Sequence, residues 1–307
     1  MRNEFVNTLA ELAQRDPRIV LLTGDLGYGV LESFGEQFPD RFYNVGVAEQ
    51  NMVGVATGLA ESGMIPFVYS IATFASMRPY EFIRNGPILH QLPVRIIGVG
   101  GGFEYGNNGA THYALEDVGV LRLQRGLTVI VPADAYQARI ALVNTYALRR
   151  PIYYRVSKGG PEIPGLHSDF ELGRLTTMRA SGEMALIALG PIVTEVLAAA
   201  DRLAADGIDA AVAVVTSFNP SPGEELAEFL SGRSAAVSVE SHFLDGGLGT
   251  LVAEVIAEHG LSTRLLRCGI DDLPRGSTGS QRFLEEQFGL SASAIADTVK
   301  SALECVR

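Results

Sequence analysis

Short, largely apolar runs recur along this chain at intervals filled by amphipathic segments, and that alternation restricts the fold more than any other feature of the sequence. Ile19 to Leu22, Ile65 to Tyr69, Val94 to Val99, Leu127 to Val131 and Ile152 to Val156 are continuous rather than alternating in polarity. Runs of this length and continuity read as strands buried on both faces. Between them, residues 4 to 15 carry Phe5, Leu9, Leu12 and Ala13 at helical spacing, and residues 79 to 89 and 135 to 148 also read as helices. Strands separated by helices predict a parallel sheet covered on both sides. Residues 158 to 182 are dense in Gly and Pro (Gly159, Gly160, Pro161, Pro164, Gly165, Gly173, Gly182) and read as a linker. A second series follows, with strands expected at 185 to 189, 210 to 215, 235 to 239 and 263 to 268. Its helices are expected at 192 to 206, 223 to 230, 249 to 259, 280 to 288 and 293 to 304. The expected fold class is therefore α/β, as two three-layer parallel-sheet domains, residues 1–157 and 183–307, joined by 158–182.

A chain of 307 residues can bury two separate cores, and 47% hydrophobic residues with a mean hydropathy of +0.18 leave apolar surface for a subunit interface. The net charge is −11, with Lys and Arg scattered, which argues against nucleic acid as a partner. Cys268 and Cys305 are far apart and have no CxxC or His cluster nearby, so neither a disulfide framework nor a zinc site is expected. The first residues lack the apolar core of a signal peptide, and no run of eighteen apolar residues occurs. The expected compartment is the cytoplasm, away from membranes.

Asn44 to Gly63 is the stretch with the most chemical content. A turn over Asn44 to Ala48 leads into a helix whose apolar residues Met52, Val55, Ala56 and Leu59 share a face, with Gly63 placed to stop it. Glu49 falls in its first turn, where an acid is commonly an ordinary capping residue. Gly54 and Gly58, one turn apart, each cost about 1 kcal/mol of helix propensity, which points to close approach by another element. A carboxylate beside such a contact is shielded from water, a condition that suits proton transfer.

Two further stretches follow predicted strands, where parallel α/β sheets place ligands. Thr73 to Tyr80 offers Phe74 and Tyr80 as flat faces for a planar heterocycle, although aromatics there are more often core. Gly100 to His112 is a long Gly-rich loop without GxGxxG or GxxxxGK[ST] order, so neither nucleotide motif is supported. It delivers His112, beside Glu116 and Asp117, as a candidate for proton transfer or substrate binding. No GxSxG elbow is present, which argues against serine-hydrolase chemistry.

Taken together, these stretches resemble the transketolase family of thiamin diphosphate enzymes, in the half that holds the pyrimidine-binding and carboxy-terminal domains. Val45 to Asn51 resembles its G-[IV]-[AR]-E segment, Thr73-Phe74 with Tyr80 its aromatic platform, and Gly109 to His112 with Glu116-Asp117 its GxTHxxxED loop. Val131 to Asp134 resembles its PAD strand end, and Glu240 to Gly249 its E-H-x-x-x-G-G-L-G turn. The likeness spans nearly the whole chain. It implies thiamin diphosphate as cofactor, with Glu49 hydrogen-bonded to the aminopyrimidine ring nitrogen and favouring the imino tautomer that deprotonates the thiazolium carbon. Phe74 and Tyr80 would stack on the pyrimidine, with Met77 as a softer contact where another aromatic is expected. His112 would stabilise or protonate the substrate oxyanion.

The family's other half, with the G-D-G…N motif that holds Mg2+ and the diphosphate, is absent, and Asp25 in Gly24-Asp25-Leu26-Gly27 does not supply it. The resemblance thus implies a split enzyme. Its metal ligands would lie on a separate N-terminal subunit, in an expected α2β2 assembly, with no metal ligand on this chain. Asn108 replaces an Asp that contacts a sugar hydroxyl, and Gly100 and Gly29 stand where sugar-phosphate transketolases place a His and a phosphate-binding Ser. Lys158 is read as replacing their phosphate-binding Arg, as a point charge instead of a fork. These departures predict sugars other than the usual pentose phosphates. The alternatives are the beta subunit of a 2-oxo-acid dehydrogenase, which should carry His-Ser-x-x-x-Glu in the loop, a 1-deoxyxylulose-phosphate-synthase-like enzyme, or a non-catalytic scaffold subunit.

Overall fold

The computed structural model describes residues 1–166 and 170–304; residues 167–169 of the expected linker and Cys305 lie outside them. Two sheets form among the described residues. The first takes β1 (Ile19–Thr23), β2 (Phe42–Asn44), β3 (Ile65–Ile71), β4 (Arg95–Val99), β5 (Thr128–Ile130) and β6 (Ile152–Val156), all paired in parallel. The second takes β7 (Leu175–Arg179), β8 (Met184–Leu189), β9 (Ala210–Val215), β11 (Ala235–Phe243) and β12 (Arg264–Ile270), while β10 (Ser217–Phe218) crosses back to the first. Every position of β1, β4, β6, β8 and β9 is buried, as expected of strands covered by helices on both faces.

The first sheet packs one face on the Arg2–Arg15 and Ala135–Thr145 helices and the other on the Glu49–Glu61 helix. In the second sheet, the Val193–Ala205 and Ala292–Glu304 helices cover one face and the Gly223–Leu230 and Leu248–Glu258 helices the other. One apolar cluster runs unbroken from Leu121, Leu127 and Val129 to Phe218, Leu226 and Leu248, so the two sheets share core.

The structure corrects several expectations. Residues 175–179, inside the stretch read as linker, form the antiparallel edge strand β7 on β9. The first sheet is not confined to residues 1–157, because β10 adds an antiparallel edge to β5 after the chain has entered the second sheet. Neither short edge strand has the periodicity that marks a strand in sequence. The segment 79–89 is helical in two pieces, Tyr80–Ile83 and a π-turn over Arg84–Ile88 that contains Pro87. Proline lacks the N–H that the regular ladder needs, and a wider turn accommodates it.

Gly63 ends its helix as expected, at φ +92° with the Met64 N–H on the Leu59 carbonyl. Among the described residues, no other element approaches Gly54 or Gly58 closely: a Cβ at Gly54 would reach only Phe82, at 4.0 Å, and one at Gly58 would meet nothing within 4 Å. The close approach to this helix is at Thr57, and the glycine that permits it is Gly86 on the π-turn, where a Cβ would lie 2.6 Å from Thr57 Oγ1.

Candidate active site

The chemistry-bearing residues gather where β1, β3 and β4 run out into loops at the carboxyl end of the first sheet, the usual ligand edge of a parallel α/β sheet. Asn44 shapes the entry. Its Oδ1 accepts the N–H groups of Asp25 and Gly46, each at 3.0 Å, and Gly46 at φ +76° turns the chain into the Glu49–Glu61 helix. The N-cap is Ala48, which has no side-chain acceptor. Glu49 is 2% exposed and its carboxylate is committed elsewhere: Oε1 accepts from Ser70 Oγ at 3.1 Å, and both oxygens lie 2.9 Å from Nη1 of Arg78. Ser70 comes from β3, and Arg78 follows the Ala72–Met77 helix that β3 leads into. The carboxylate therefore faces the sheet edge and is not spent on capping its own helix.

Phe74 lies one helical turn before Arg78, and the guanidinium carbon sits 3.8 Å from its ring centroid. The Phe74 ring also meets His112 edge-on at 5.0 Å between centroids. His112 Nδ1 is 3.0 Å from Thr111 Oγ1, and its ring lies 6.4 Å from Tyr105. Lys158 stands 4.3 Å over that same Tyr105 ring, with Nζ 3.2 Å from the Glu104 carbonyl. Glu49, Phe74 and His112 thus form one contiguous patch, and Lys158 joins it through Tyr105. Burial pushes the Glu104 carboxyl and the Tyr105 phenol above their ordinary values.

The remaining candidates fall differently. Met77 is half-exposed at the end of its helix, and Asn108 is exposed in the 3-10 turn Gly106–Asn108. Tyr80 is turned away from the patch: it packs on the core, its hydroxyl donates to the Val120 carbonyl at 3.1 Å, and it accepts from Gln124 Nε2. Glu116 and Asp117 also turn inward. Glu116 accepts its neighbour's Leu115 N–H, and Asp117 Oδ2 takes Tyr153 Oη at 2.7 Å and Arg155 Nε at 3.0 Å. Arg155 also donates to the carbonyls of Ala114 and Ser241, which ties the His112 loop to the second sheet. In the same seam Glu240 accepts the N–H groups of Leu248 and Gly249 and is pushed by burial to about 7, while burial lowers His242 to about 4.

Ser70, Arg78, Tyr105 and Arg155 were not singled out from sequence. Arg78 had a signal, since four residues separate it from Phe74 and a helix puts both on one face. Ser70 and Arg155 had none, because a strand gives no hint of which neighbour its buried polar residues will meet.

Gly100 has a packing reason: it sits at φ +80°, and a Cβ there would lie 2.3 Å from the Tyr105 ring. A flat N–H donor fits the patch, as the Arg78 guanidinium shows by lying on Phe74 while reaching Glu49. The patch therefore suits an aminopyrimidine. Among the described residues, no group of three or more His, Cys, Asp or Glu is placed to hold a metal ion. Among the same residues, no helix is long and apolar enough to cross a membrane.

Comparison with known proteins places the chain in a family. Residues 1–161 match the family described as transketolase, pyrimidine binding domain, and residues 173–295 match transketolase, C-terminal domain. A putative transketolase C-terminal section of Methanocaldococcus jannaschii is 35% identical over 99% of this chain and 96% of its own length. The 6-deoxy-6-sulfo-D-fructose transketolase subunit SqwH of Clostridium sp. (strain MSTE9) is 36% identical over 99% and 94%. A solved structure described as a split gene transketolase, inactive beta4 tetramer, superposes with a TM-score of 0.90 at 36% identity, covering 100% of this chain and 99% of that one. On its fold, its matched domains and relatives aligned nearly end to end, the chain belongs to the transketolase family, as the split-type subunit that carries the pyrimidine-binding and C-terminal domains.

Proposed function

We propose that this chain is the C-terminal subunit of a thiamin diphosphate-dependent transketolase that moves a two-carbon ketol unit between sugars and works only with a separate N-terminal subunit. That subunit would grip the diphosphate and Mg2+, in an α2β2 assembly in the cytoplasm. The observation that carries the reading is the buried Glu49 carboxylate, joined through the Arg78 guanidinium to the half-buried Phe74–His112 ring pair. Thiamin diphosphate, when bound, supplies the nucleophilic carbon that carries the transferred unit.

The chain's own residues orient and protonate. Glu49 holds a proton at the ring nitrogen of the aminopyrimidine, and Ser70 keeps its carboxylate aimed at that edge. Phe74 presents the stacking face and Met77 a softer rim. His112 donates to the substrate oxygen on which charge develops. Asn108 and Lys158 contact the sugar hydroxyls and its far end. We assign Tyr80 to the core under this platform and not to the pyrimidine.

The donor and acceptor are inferred to differ from the usual pentose phosphates. Gly100 and Gly29 carry no side chain toward a phosphate, Lys158 offers a point charge, and a relative is named for a sulfonated deoxy sugar. The test is reconstitution with a partner carrying G-D-G…N, followed by ketol-transfer assays on phosphorylated, deoxy and sulfonated sugars. Glu49→Gln is expected to abolish turnover in the complex. Unchanged turnover would favour the scaffold reading, and efficient transfer between xylulose 5-phosphate and ribose 5-phosphate would refute the substrate reading.

A further inference from the structure

We infer that Arg78 is a built-in stand-in for the cofactor's aminopyrimidine, and that it sets cofactor affinity because it must leave before the cofactor can bind. The inference rests on the thiamin diphosphate reading above and deepens it. Glu49 is 2% exposed, and an unpaired carboxylate at that depth is strongly disfavoured. Arg78 resolves this with Nη1 at 2.9 Å from both carboxylate oxygens, while its own side chain stays 44% exposed.

The guanidinium is planar and cationic, with an N–C–N core and N–H donors in its plane, and it stacks on aromatic faces. The aminopyrimidine is also planar, with ring nitrogens and an amino group at its edge. Both need the same two things: an aromatic face and a carboxylate at the rim. Here one Phe74 ring and one Glu49 supply both, and a guanidinium carbon 3.8 Å above the ring centroid is already at stacking distance. Arg78 thus occupies both the ring face and the carboxylate that the pyrimidine would use.

Arg78 therefore neutralises Glu49 and covers Phe74 in the free subunit, and swings out on its flexible, half-exposed stem when the pyrimidine arrives. It is a positioning residue, distinct from the groups that act on substrate. Its removal exposes a trade-off: the free subunit loses its compensating charge, while the cofactor no longer has a competitor.

The experiment titrates thiamin diphosphate with Mg2+ by calorimetry into the reconstituted complex, for the natural chain, Arg78→Met, Arg78→Lys and Phe74→Ala. Thermal unfolding of the free full chain is followed in parallel. Arg78→Met is expected to bind roughly tenfold tighter, the combined worth of a half-exposed ion pair and a stack, with a lower melting temperature for the free chain. Arg78→Lys, which keeps charge but not planarity, is expected to fall between. Unchanged or weaker cofactor binding in Arg78→Met would overturn the stand-in while leaving the cofactor reading intact, provided Phe74→Ala weakens binding. Absence of cofactor binding in every chain, the natural one included, would sink the cofactor reading and this inference with it.

Discussion

Replacing Arg155 by Met tests whether the seam between the sheets holds the His112 loop. Asp117 is fully buried and Arg155 is 6% exposed, and Nε and Oδ2 lie 3.0 Å apart. Asp117 Oδ1 has no hydrogen-bond partner, so Arg155 carries most of the compensation for that carboxylate. Removing one partner of such a pair leaves a buried, uncompensated charge and costs about 3–5 kcal/mol. Entropy of unfolding near 2.1 cal/mol/K per residue converts this, over the 307 residues, to a drop of about 5–8 °C in melting temperature for a cooperative transition. The loss of donors to the Ala114 and Ser241 carbonyls adds to it and frees the loop, so protection of the Gly102 and Ala114 amides from hydrogen exchange should fall as well. The assay is scanning calorimetry of the natural chain, Arg155→Met, Asp117→Asn and the double variant. Asp117→Asn keeps an acceptor for Tyr153 and removes the charge, so the double variant should recover about half of the loss. A single-variant cost below about 1 kcal/mol, or a double variant as damaged as the sum of the singles, would refute the charge-compensation argument.

Three further outcomes follow from the geometry. Burial raises Glu240 from 4.5 to about 7, so the stability it contributes in neutral form is complete below pH 4.5 and lost as pH rises toward 7. The stability advantage of the natural chain over Glu240→Gln, followed by thermal unfolding, should therefore shrink between pH 5 and pH 7, by at most ~3 kcal/mol, and a flat difference would contradict it. Tyr80→Phe should cost about 1 kcal/mol of stability through the lost bond to Val120 and leave cofactor affinity unchanged, whereas Phe74→Ala should weaken cofactor binding about tenfold; calorimetry separates the two. Tyr105→Ala removes the ring between His112 and Lys158, and should raise the acceptor KM several-fold with cofactor affinity unmoved in steady-state assays.

The long strands and helices were legible because burial on both faces forces unbroken apolar runs, and β6, β9 and the Gly223–Leu230 helix fall where the pattern puts them. β7 and β10 were not, since an edge strand of two to five residues is defined by its neighbour and not by its own pattern. The same distinction runs through the site. Glu49, Phe74 and His112 can each be singled out in sequence as candidates, but their nearness depends on β3 and β4 lying side by side, which is a property of the sheet. Tyr80 lies past the break at Pro79, on the Tyr80–Ile83 helix and not on the Ala72–Met77 helix that carries Phe74, so spacing alone does not tell which side its ring takes. Glu116 and Asp117, adjacent in sequence to the loop histidine, serve the seam instead.

Gly100 and Tyr105 show how a departure from the family pattern can be structural and chemical at once. A side chain at Gly100 would collide with the Tyr105 ring, and its φ of +80° already disfavours one. The ring in turn carries Lys158 on its face and borders His112. Replacing a histidine at this end of the site thus requires no loss of order: an aromatic face fills the volume, and a cation stacked on it keeps positive charge in reach of an anionic substituent. A point charge held by a ring recognises charge more than shape, because an ammonium lacks the fork that fits a phosphate in two places. Under the proposed function, tolerance for the chemical type of an anion at the sugar's far end would be the physical consequence, which ties the substrate proposal to the packing of a single tyrosine.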